Sequence, residues 1–255
     1  MINLQEILIW LDPAHGGHDS GALSPSGLKE SDVSLVVCQM AKSKLEALGL
    51  RVMMSRHDDV FVPLWERASM ANDAGAAVFV SPHLNAAKKP ASGIETFAFP
   101  GSEDGDRLAQ ALQDELLDAS PDSPDRGVKY RKFSVLEKTK MPAALVELEF
   151  MHTPEGDAYF RDQAILERCA EALVVGICKF IGMKVDVPDY AGDAGGVQDD
   201  GDPQKDSLEM KMDHLRKVNV GLAEANAQLV KSMRLLSAEC KVAKQKIIKA
   251  RKALA

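Results

Sequence analysis

The sequence predicts an α/β fold, in which a twisted, mostly parallel sheet is flanked by helices and followed by a linker and a C-terminal coiled-coil helix. Three observations lead to this prediction. Up to about residue 183, short apolar runs of β-forming residues alternate with segments whose apolar residues recur at helical spacing, which is typical of parallel sheets. The segment 184–206 is acidic and rich in glycine. From 207 to 255, leucine and then alanine occupy every seventh position, the repeat of a coiled coil.

The first domain, residues 1–183, is expected to contain five strands and four helices. The strands are apolar runs at 7–11, 50–55, 76–81, 94–99 and 143–150. The helices carry apolar residues every three or four positions and lie near 31–48, 64–74, 104–118 and 157–181. The last helix is expected to close the core. Because active sites in such folds form where strands end, the loops after the strands are where functional residues are sought.

Composition narrows the class of protein. The chain has 255 residues and is 45% hydrophobic, enough for one full-sized domain with a core and an additional element. A net charge of −7 argues against a nucleic-acid binder. The four cysteines show no C-x-x-C spacing, which favours a reducing compartment over a disulfide framework. We predict no signal peptide and no transmembrane segment, and therefore synthesis in the cytosol.

The C-terminal part is expected to be an acidic flexible linker, 184–206, followed by an oligomerisation helix, 207–255. Leucine and then alanine occupy one core position of successive heptads, at Leu208, Leu215, Leu222, Leu229, Leu236, Ala243 and Ala250. A single helix cannot bury this stripe, so self-association is predicted. Asn219 and Asn226 at the other core position favour a parallel dimer. Small apolar residues beside the core leave trimers and tetramers open, and packing of the helix on the first domain is the alternative.

The last fifteen residues of the chain are basic, with six Lys or Arg and no acidic residue. Positive charge near the C-terminal end of a helix is favoured by the helix dipole, which is the simpler explanation. The alternative is a weak contact of this basic end with an anionic cell envelope.

Two histidines and a glutamate carry the first candidate chemistry. His15 follows the first predicted strand, His83 follows the strand at 76–81, and Glu30 begins the first helix. Taken singly, each histidine could be a hydrogen-bonded loop residue, and Glu30 a carboxylate favoured at a helix N-terminus. Together they match a catalytic zinc site, which has three protein ligands and leaves a fourth position for water.

A second candidate is a carboxylate in an apolar strand. Glu147 lies within the run 143–150, where an ionised carboxylate is costly unless it has a partner. A zinc site of this kind needs a carboxylate that does not bind the metal, to take a proton from water. Glu147 is the candidate for that role. Glu149 is a competing candidate, because alternation along a strand places it on the same side.

These motifs resemble those of the type-3 family of zinc-dependent N-acetylmuramoyl-L-alanine amidases. The family pattern has a D-P-G-H-G-G-x-D-x-G-A loop, a glutamate about fifteen residues on, an S-x-H-x-N-A segment and a late P-x-x-L-V-E-x-G-F strand. The matching positions are 12–22, Glu30, 81–86 and 142–150, and the resemblance covers about residues 5–183. Three residues depart from it: Ala14 replaces a glycine, Pro82 precedes His83, and Glu149 replaces a glycine.

The resemblance assigns roles to individual residues. It implies that His15, Glu30 and His83 bind one Zn²⁺ per catalytic domain, and that Glu147 is the catalytic acid and base. Three further residues are predicted to bind substrate: Asn85, Glu149 and His18. His18 is expected to be exposed or to face the substrate, and not to bind the metal. Glu149 is expected to line the substrate groove or, if close enough, to raise the pKa of Glu147.

The resemblance implies a peptidoglycan hydrolase that cleaves the amide between N-acetylmuramic acid and L-alanine. Without an export signal, a phage endolysin fits better than an exported bacterial amidase. Such a protein stays in the host cytoplasm until the membrane is permeabilised and then reaches the peptidoglycan. Two alternatives remain open. One is another zinc amidohydrolase or peptidase on this scaffold, and the other is a non-enzymatic wall-binding protein organised by its coiled coil.

Overall fold

A computed structural model of the chain describes residues 6–185. Except for its first two residues, the linker predicted at 184–206 lies outside the described residues. So do the coiled coil predicted at 207–255 and its basic end.

The described domain is built on a six-stranded sheet, which confirms the predicted α/β class. Its strands are β1 (Leu8–Leu11), β2 (Arg51–Met54), β3 (Val78–Asn85), β4 (Ile94–Ala98), β5 (Asp125–Tyr130) and β6 (Ala143–Phe150). They are ordered β2-β1-β3-β6-β4-β5. Neighbouring strands are parallel except β4 and β6, which are antiparallel. The sheet is therefore mostly parallel, with one reversal beside β6.

Six helices accompany the sheet in the described residues. They are α1 (Glu30–Ala47), α2 (Leu64–Asp73), α3 (Glu103–Ala119), α4 (Ser134–Glu137), α5 (Pro154–Arg161) and α6 (Gln163–Phe180). Side chains of α1, α3 and α6 join one apolar cluster, and those of α2 and α4 join another. Along β6, Ala144 and Val146 belong to the first cluster and Ala143 and Leu145 to the second. Both faces of the sheet are therefore covered by helices.

The structure differs from the predicted elements in three places. β5 was not predicted, because its sequence has charged residues and a glycine and its side chains are exposed or half-buried, so it lacks an apolar run. β3 continues past residue 81 to Asn85. The helix predicted at 157–181 is two helices that meet at Asp162, whose carboxylate accepts a hydrogen bond from Ala164 N at 2.9 Å and caps α6.

Cys38, Cys169 and Cys178 are buried free thiols. This agrees with the prediction that these cysteines do not form a disulfide framework. Among the helices within residues 6–185, none has the length and apolarity needed to cross a membrane.

Candidate metal centre

The three predicted ligands meet at one point beside the sheet. His15 lies in the loop after β1, Glu30 is the first residue of α1, and His83 lies on β3. One donor atom from each residue lies within 4.8 Å of the other two. Zinc bonds of about 2.0–2.2 Å in a tetrahedral arrangement place their donor atoms about 3–3.5 Å apart. The group therefore has the donor types and the closeness that a metal ion requires.

Glu30 is the centre of this group. Its Oε1 lies 2.9 Å from His83 Nδ1 and 3.2 Å from His15 Nε2. Backbone N–H groups hold the carboxylate, since Leu84 N donates to Oε1 and Ala22 N donates to Oε2. Burial by itself raises the pKa of Glu30, but hydrogen bonds and charges from His15 and His83 lower that pKa well below its usual range. Glu30 is therefore ionised in the folded protein.

His15 is oriented by a second carboxylate. Its Nδ1 lies 2.9 Å from Asp19 Oδ2, which leaves Nε2 directed to Glu30. Carboxylates that hold the far nitrogen of a histidine in this way are typical partners of metal ligands. Burial by itself lowers the pKa of His15. Hydrogen bonds and charges from Glu30 and Asp19 outweigh this effect and raise the pKa to about 9. His15 is thereby held between two carboxylates, Asp19 at Nδ1 and Glu30 at Nε2.

Arg67 fixes the loop that carries His15. This side chain is buried, and its Nη1 donates to Asp12 Oδ1 at 2.8 Å and to Pro13 O at 2.6 Å. Its Nη2 donates to His15 O at 2.6 Å. Asp12 is also held by Ser81, whose Oγ donates to Oδ2 at 2.8 Å. One guanidinium group on α2 therefore determines the path of the chain on both sides of the ligand.

Arg56 holds the same loop from a second direction. Its Nη2 donates to Ala14 O at 2.7 Å and to Ser31 O at 2.6 Å, and its Nε donates to Pro13 O at 3.1 Å. Among the described non-glycine residues only His15 has a positive φ, 56°. Ala14 therefore needs no left-handed backbone, so a methyl group in place of the family's glycine does not disturb the loop.

A glycine leaves room for two of the three ligands. Gly21 has φ 64°, and a Cβ there would lie 2.5 Å from Glu30 Oε2 and 2.6 Å from His15 Cδ2. Both distances are well below a normal contact. Only glycine fits at this position while His15 and Glu30 keep their places.

Glu147 opens into the same cavity as the three ligands. The cavity has a volume of about 570 Å³, and much of its remaining wall is apolar. Glu147 pairs in register with His83 on the neighbouring strand. Its Oε2 is buried and has no hydrogen-bond partner within the described part of the chain. Burial raises the pKa of Glu147 to about 7, and the charges of Glu30 and Glu95 act in the same direction.

Glu149 does not share this cavity, and the expectation from strand alternation is wrong. The pairing of β3 with β6 shifts after His83, so that Asn85 pairs with Phe150. This bulge adds a residue to β6 and turns Glu149 away. Its carboxylate accepts hydrogen bonds from Gly93 N, Ser123 Oγ and Phe150 N. It lines a separate cavity of about 460 Å³ that contains none of the three ligands.

The other two predicted substrate residues lie at or near the cavity. Asn85 lines it, and its Nδ2 donates to Glu95 Oε1 at 2.8 Å. His18 is outside the three-residue group and stacks on Phe61, with 4.1 Å between ring centroids. Phe61 itself lines the cavity. The substrate-binding roles of Asn85, His18 and Glu149 stay predictions.

Sequence reasoning missed the charged residues that surround the ligands. Asp19 was read only as part of a motif, and the ion pair of Arg67 with Asp12 was not foreseen. Glu95, which faces Glu147 across the sheet, was not singled out either. The partners of Arg67 and Glu95 are distant in the chain, so the only signal available for them was a charged residue within an apolar run, as at Glu95. Asp19 lies four residues from His15, but only the fold of the loop brings the two side chains together.

The profile of the family described as N-acetylmuramoyl-L-alanine amidase matches residues 9–179. This chain belongs to that family. The amidase domain is 36% identical over 183 residues to the endolysin of Bacillus phage SPP1, covering 69% of this chain and 67% of that protein. It is 37% identical over 172 residues to the uncharacterized protein YqiI of Bacillus subtilis, and this alignment covers 66% of this chain and 82% of that protein.

A solved structure has the same fold. The N-acetylmuramoyl-L-alanine amidase from Clostridium difficile 630 aligns with a TM-score of 0.67 and 33% identity. The alignment covers 72% of this chain and 100% of that chain. The amidase fold therefore accounts for the described domain.

Gly21→Ala should weaken binding of Zn²⁺ at least tenfold, because the added methyl displaces Glu30 and His15, and such changes around metal ligands cost about 10–100-fold in affinity. Gly27→Ala is the matched control. Gly27 also has a positive φ, 86°, but a Cβ there meets no atom within 4 Å. The affinity is measured by competition with a chromophoric chelator. Equal affinities of the two variants would contradict the placement of the metal.

Glu147→Gln should stabilise the metal-free amidase more at pH 8 than at pH 5. The folded-state pKa of about 7 exceeds the ordinary 4.5, so the wild type loses stability as the pH rises through this interval. The variant has no such loss, because glutamine does not titrate. The difference in free energy of unfolding between the variant and the wild type should therefore grow by about 2–3 kcal/mol from pH 5 to pH 8. Urea unfolding in EDTA measures it. The exposed Glu137→Gln serves as control, and a pH-independent difference would argue against the raised pKa.

Proposed function

We propose that the chain hydrolyses the amide bond between N-acetylmuramic acid and L-alanine in peptidoglycan. Family membership gives the reaction class. The observation that carries the proposal is a His-Glu-His group and an unpaired, buried carboxylate oxygen of Glu147 in one cavity. These are the two parts that hydrolysis of an unactivated amide requires, an electrophilic centre and an acid–base group.

Zn²⁺ is the ion we propose for His15, Glu30 and His83. Two imidazole nitrogens and one carboxylate oxygen form a donor set that zinc accepts in catalytic sites. When bound there, zinc polarises the carbonyl group and lowers the pKa of a water molecule. The unpaired oxygen of Glu147 supports this assignment, because it is a buried acceptor in the cavity that the three ligands also line.

Glu147 would perform both proton transfers. Its carboxylate accepts a proton from the water that attacks the lactyl carbonyl carbon. As the carbon–nitrogen bond breaks, Glu147 donates that proton to the nitrogen of L-alanine, which leaves as an amine. A pKa of about 7 suits a group that must both accept and donate near neutral pH. The products are a free lactyl carboxylate on the sugar and a peptide with an N-terminal L-alanine.

Replacement of Glu147 by glutamine should lower turnover on purified peptidoglycan by about 10²–10⁴-fold, the usual contribution of a general acid–base group. Removal of zinc by a chelator should have a similar effect, reversed by adding Zn²⁺. Mass spectrometry of the digest identifies the bond that is cut. Glu137→Gln should retain wild-type turnover.

The same digest separates the alternative functions. Fragments that keep L-alanine attached to muramic acid but are cut elsewhere would indicate another zinc amidohydrolase or peptidase. An intact wall, bound but not cut by the zinc-loaded protein, would indicate a wall-binding protein. Wild-type turnover in the Glu147→Gln variant would refute the mechanism even if the expected bond is cut.

The biological role that we propose is lysis of a bacterial host by a phage. The similarity to the endolysin of Bacillus phage SPP1 supports it. In this role the amidase would be held in the host cytoplasm until the membrane is permeabilised, and would then reach the wall.

We further propose that the heptad segment 207–255 joins two or more amidase domains, which would raise avidity for a polymeric substrate. Replacing Leu215, Leu222 and Leu229 by glutamate should convert the full chain to a monomer in sedimentation equilibrium, because three charges would enter the apolar seam. A matched variant changes three residues of the same heptads outside the seam: His214, Gly221 and Gln228. A monomeric wild type would contradict the proposal.

A further inference from the structure

A cluster of charged side chains lies beside the acid–base residue and is not used by the proposed hydrolysis. Glu95 on β4 is directly opposite Glu147 in the antiparallel register, and such pairs point to the same face of a sheet. Glu95 Oε2 accepts hydrogen bonds from Arg126 Nε at 2.6 Å and from Lys129 Nζ. The two cations belong to β5, the edge strand next to β4.

The cluster has more positive than negative charge. Two cations share one oxygen of Glu95, and its other oxygen accepts from Asn85. The carboxylate of Asp125 is directed away from the cluster, because it accepts from Gln113, a residue of α3 on the opposite face of the sheet. The three side chains of Glu95, Arg126 and Lys129 therefore carry one more positive than negative charge.

The two cations are available to a ligand and at the same time held in place. Their side chains are 35% and 38% exposed, whereas Glu95 is buried. Arg126 lies over the ring of Phe150, with 4.9 Å from Cζ to the ring centroid, and its Nη1 is 3.5 Å from Ser92 O. Within the described residues these contacts engage only part of a guanidinium with five N–H donors.

The position of the cluster fits one half of the substrate. Adjacent strands are about 4.7–4.9 Å apart, so β5 lies roughly 10 Å from β6 and Glu147. An extended peptide advances about 3.3–3.6 Å per residue, so two residues cover roughly 7 Å, and a carboxyl group that branches from the second residue covers most of the remainder. Asn85 connects the two places, because it lines the cavity and also donates to Glu95. The sugar has no negative charge to complement the cations of the cluster, whereas a carboxylate of the peptide has one.

We propose that Arg126 and Lys129 form a subsite for a carboxylate on the peptide that leaves, borne by the residue after L-alanine. The subsite rests on the proposed amidase function, because cleavage at Glu147 sets the position of the peptide. Charge-assisted hydrogen bonds from a guanidinium and an ammonium group would hold the carboxylate. Glu95 is a positioning residue that holds both cations near Asn85, which lines the cavity. The subsite thereby makes the enzyme sensitive to whether this carboxyl group of the stem is free or amidated.

The test uses the zinc-loaded full chain and two synthetic muramoyl peptides. They differ only in the residue after L-alanine, which carries either a free carboxylate or its carboxamide. The readout is the ratio of kcat/KM for the acid to kcat/KM for the amide. Because both substrates meet the same enzyme preparation, a general loss of folding or activity cancels from this ratio.

The wild type should prefer the acid about five- to tenfold, as expected for partly exposed ion pairs. Arg126→Gln and Lys129→Gln should each bring the ratio close to one, mainly by lowering kcat/KM for the acid. Arg126→Lys should retain part of the preference, since it keeps the charge but loses the planar guanidinium. The matched control is Arg51→Gln, an exposed cation on β2 at the other edge of the sheet, which should leave the ratio unchanged.

Two outcomes would overturn the subsite alone: a wild-type ratio of one, or variants of Arg126 and Lys129 that keep the full preference. In both cases cleavage of the amide substrate at the expected bond shows that the proposed function stands. Failure of the wild type to cleave either peptide, while zinc is bound, would refute the proposed function and the subsite with it.

Discussion

The candidate metal centre depends on the buried ion pair between Arg67 and Asp12. The same guanidinium binds the carbonyl groups of Pro13 and His15, so it fixes the loop directly before and at the first ligand. Removing one partner of a buried pair typically costs about 3–5 kcal/mol, because the other charge is left uncompensated. His15 also has the only positive φ among the described non-glycine residues. A loop bent in this way keeps its shape only when its carbonyl groups are held from outside, and Arg56 and Arg67 provide this.

The two carboxylates in the cavity, Glu30 and Glu147, differ in their pKa values. Glu30 is kept ionised by two histidines. Glu147, on the strand next to His83, has its pKa raised by burial. The two carboxylates therefore have opposite properties within one cavity. One is a permanent anion suited to a metal ion, and the other can exchange a proton near neutral pH. Glu95 continues the row of charges toward the edge of the sheet, where Arg126 and Lys129 compensate it.

Much of this arrangement could be predicted from the sequence, and the errors have identifiable causes. His15 and His83 could be found because each follows an apolar run, Glu30 because it begins a helix, and Glu147 because it interrupts an apolar run. β5 could not be found, because an exposed edge strand needs no apolar pattern. The expectation that Glu149 lies on the same side of β6 as Glu147 is wrong, because alternation assumes an unbroken strand and the bulge in β6 shifts every later residue.

The sequence by itself determined the α/β class, the strand ends that carry the candidate ligands and the seven-residue repeat of the C-terminal segment. These features are encoded locally, in the period of apolar residues and in the residues that break it. Only the tertiary structure decided that Arg67 and Arg56 hold the His15 loop, that Glu147 and not Glu149 lines the cavity of the ligands, and that two cations pair with Glu95, the residue opposite Glu147. These features depend on strand order and register, which bring together residues 40 to 60 positions apart or more. No local pattern in the sequence specifies such pairings.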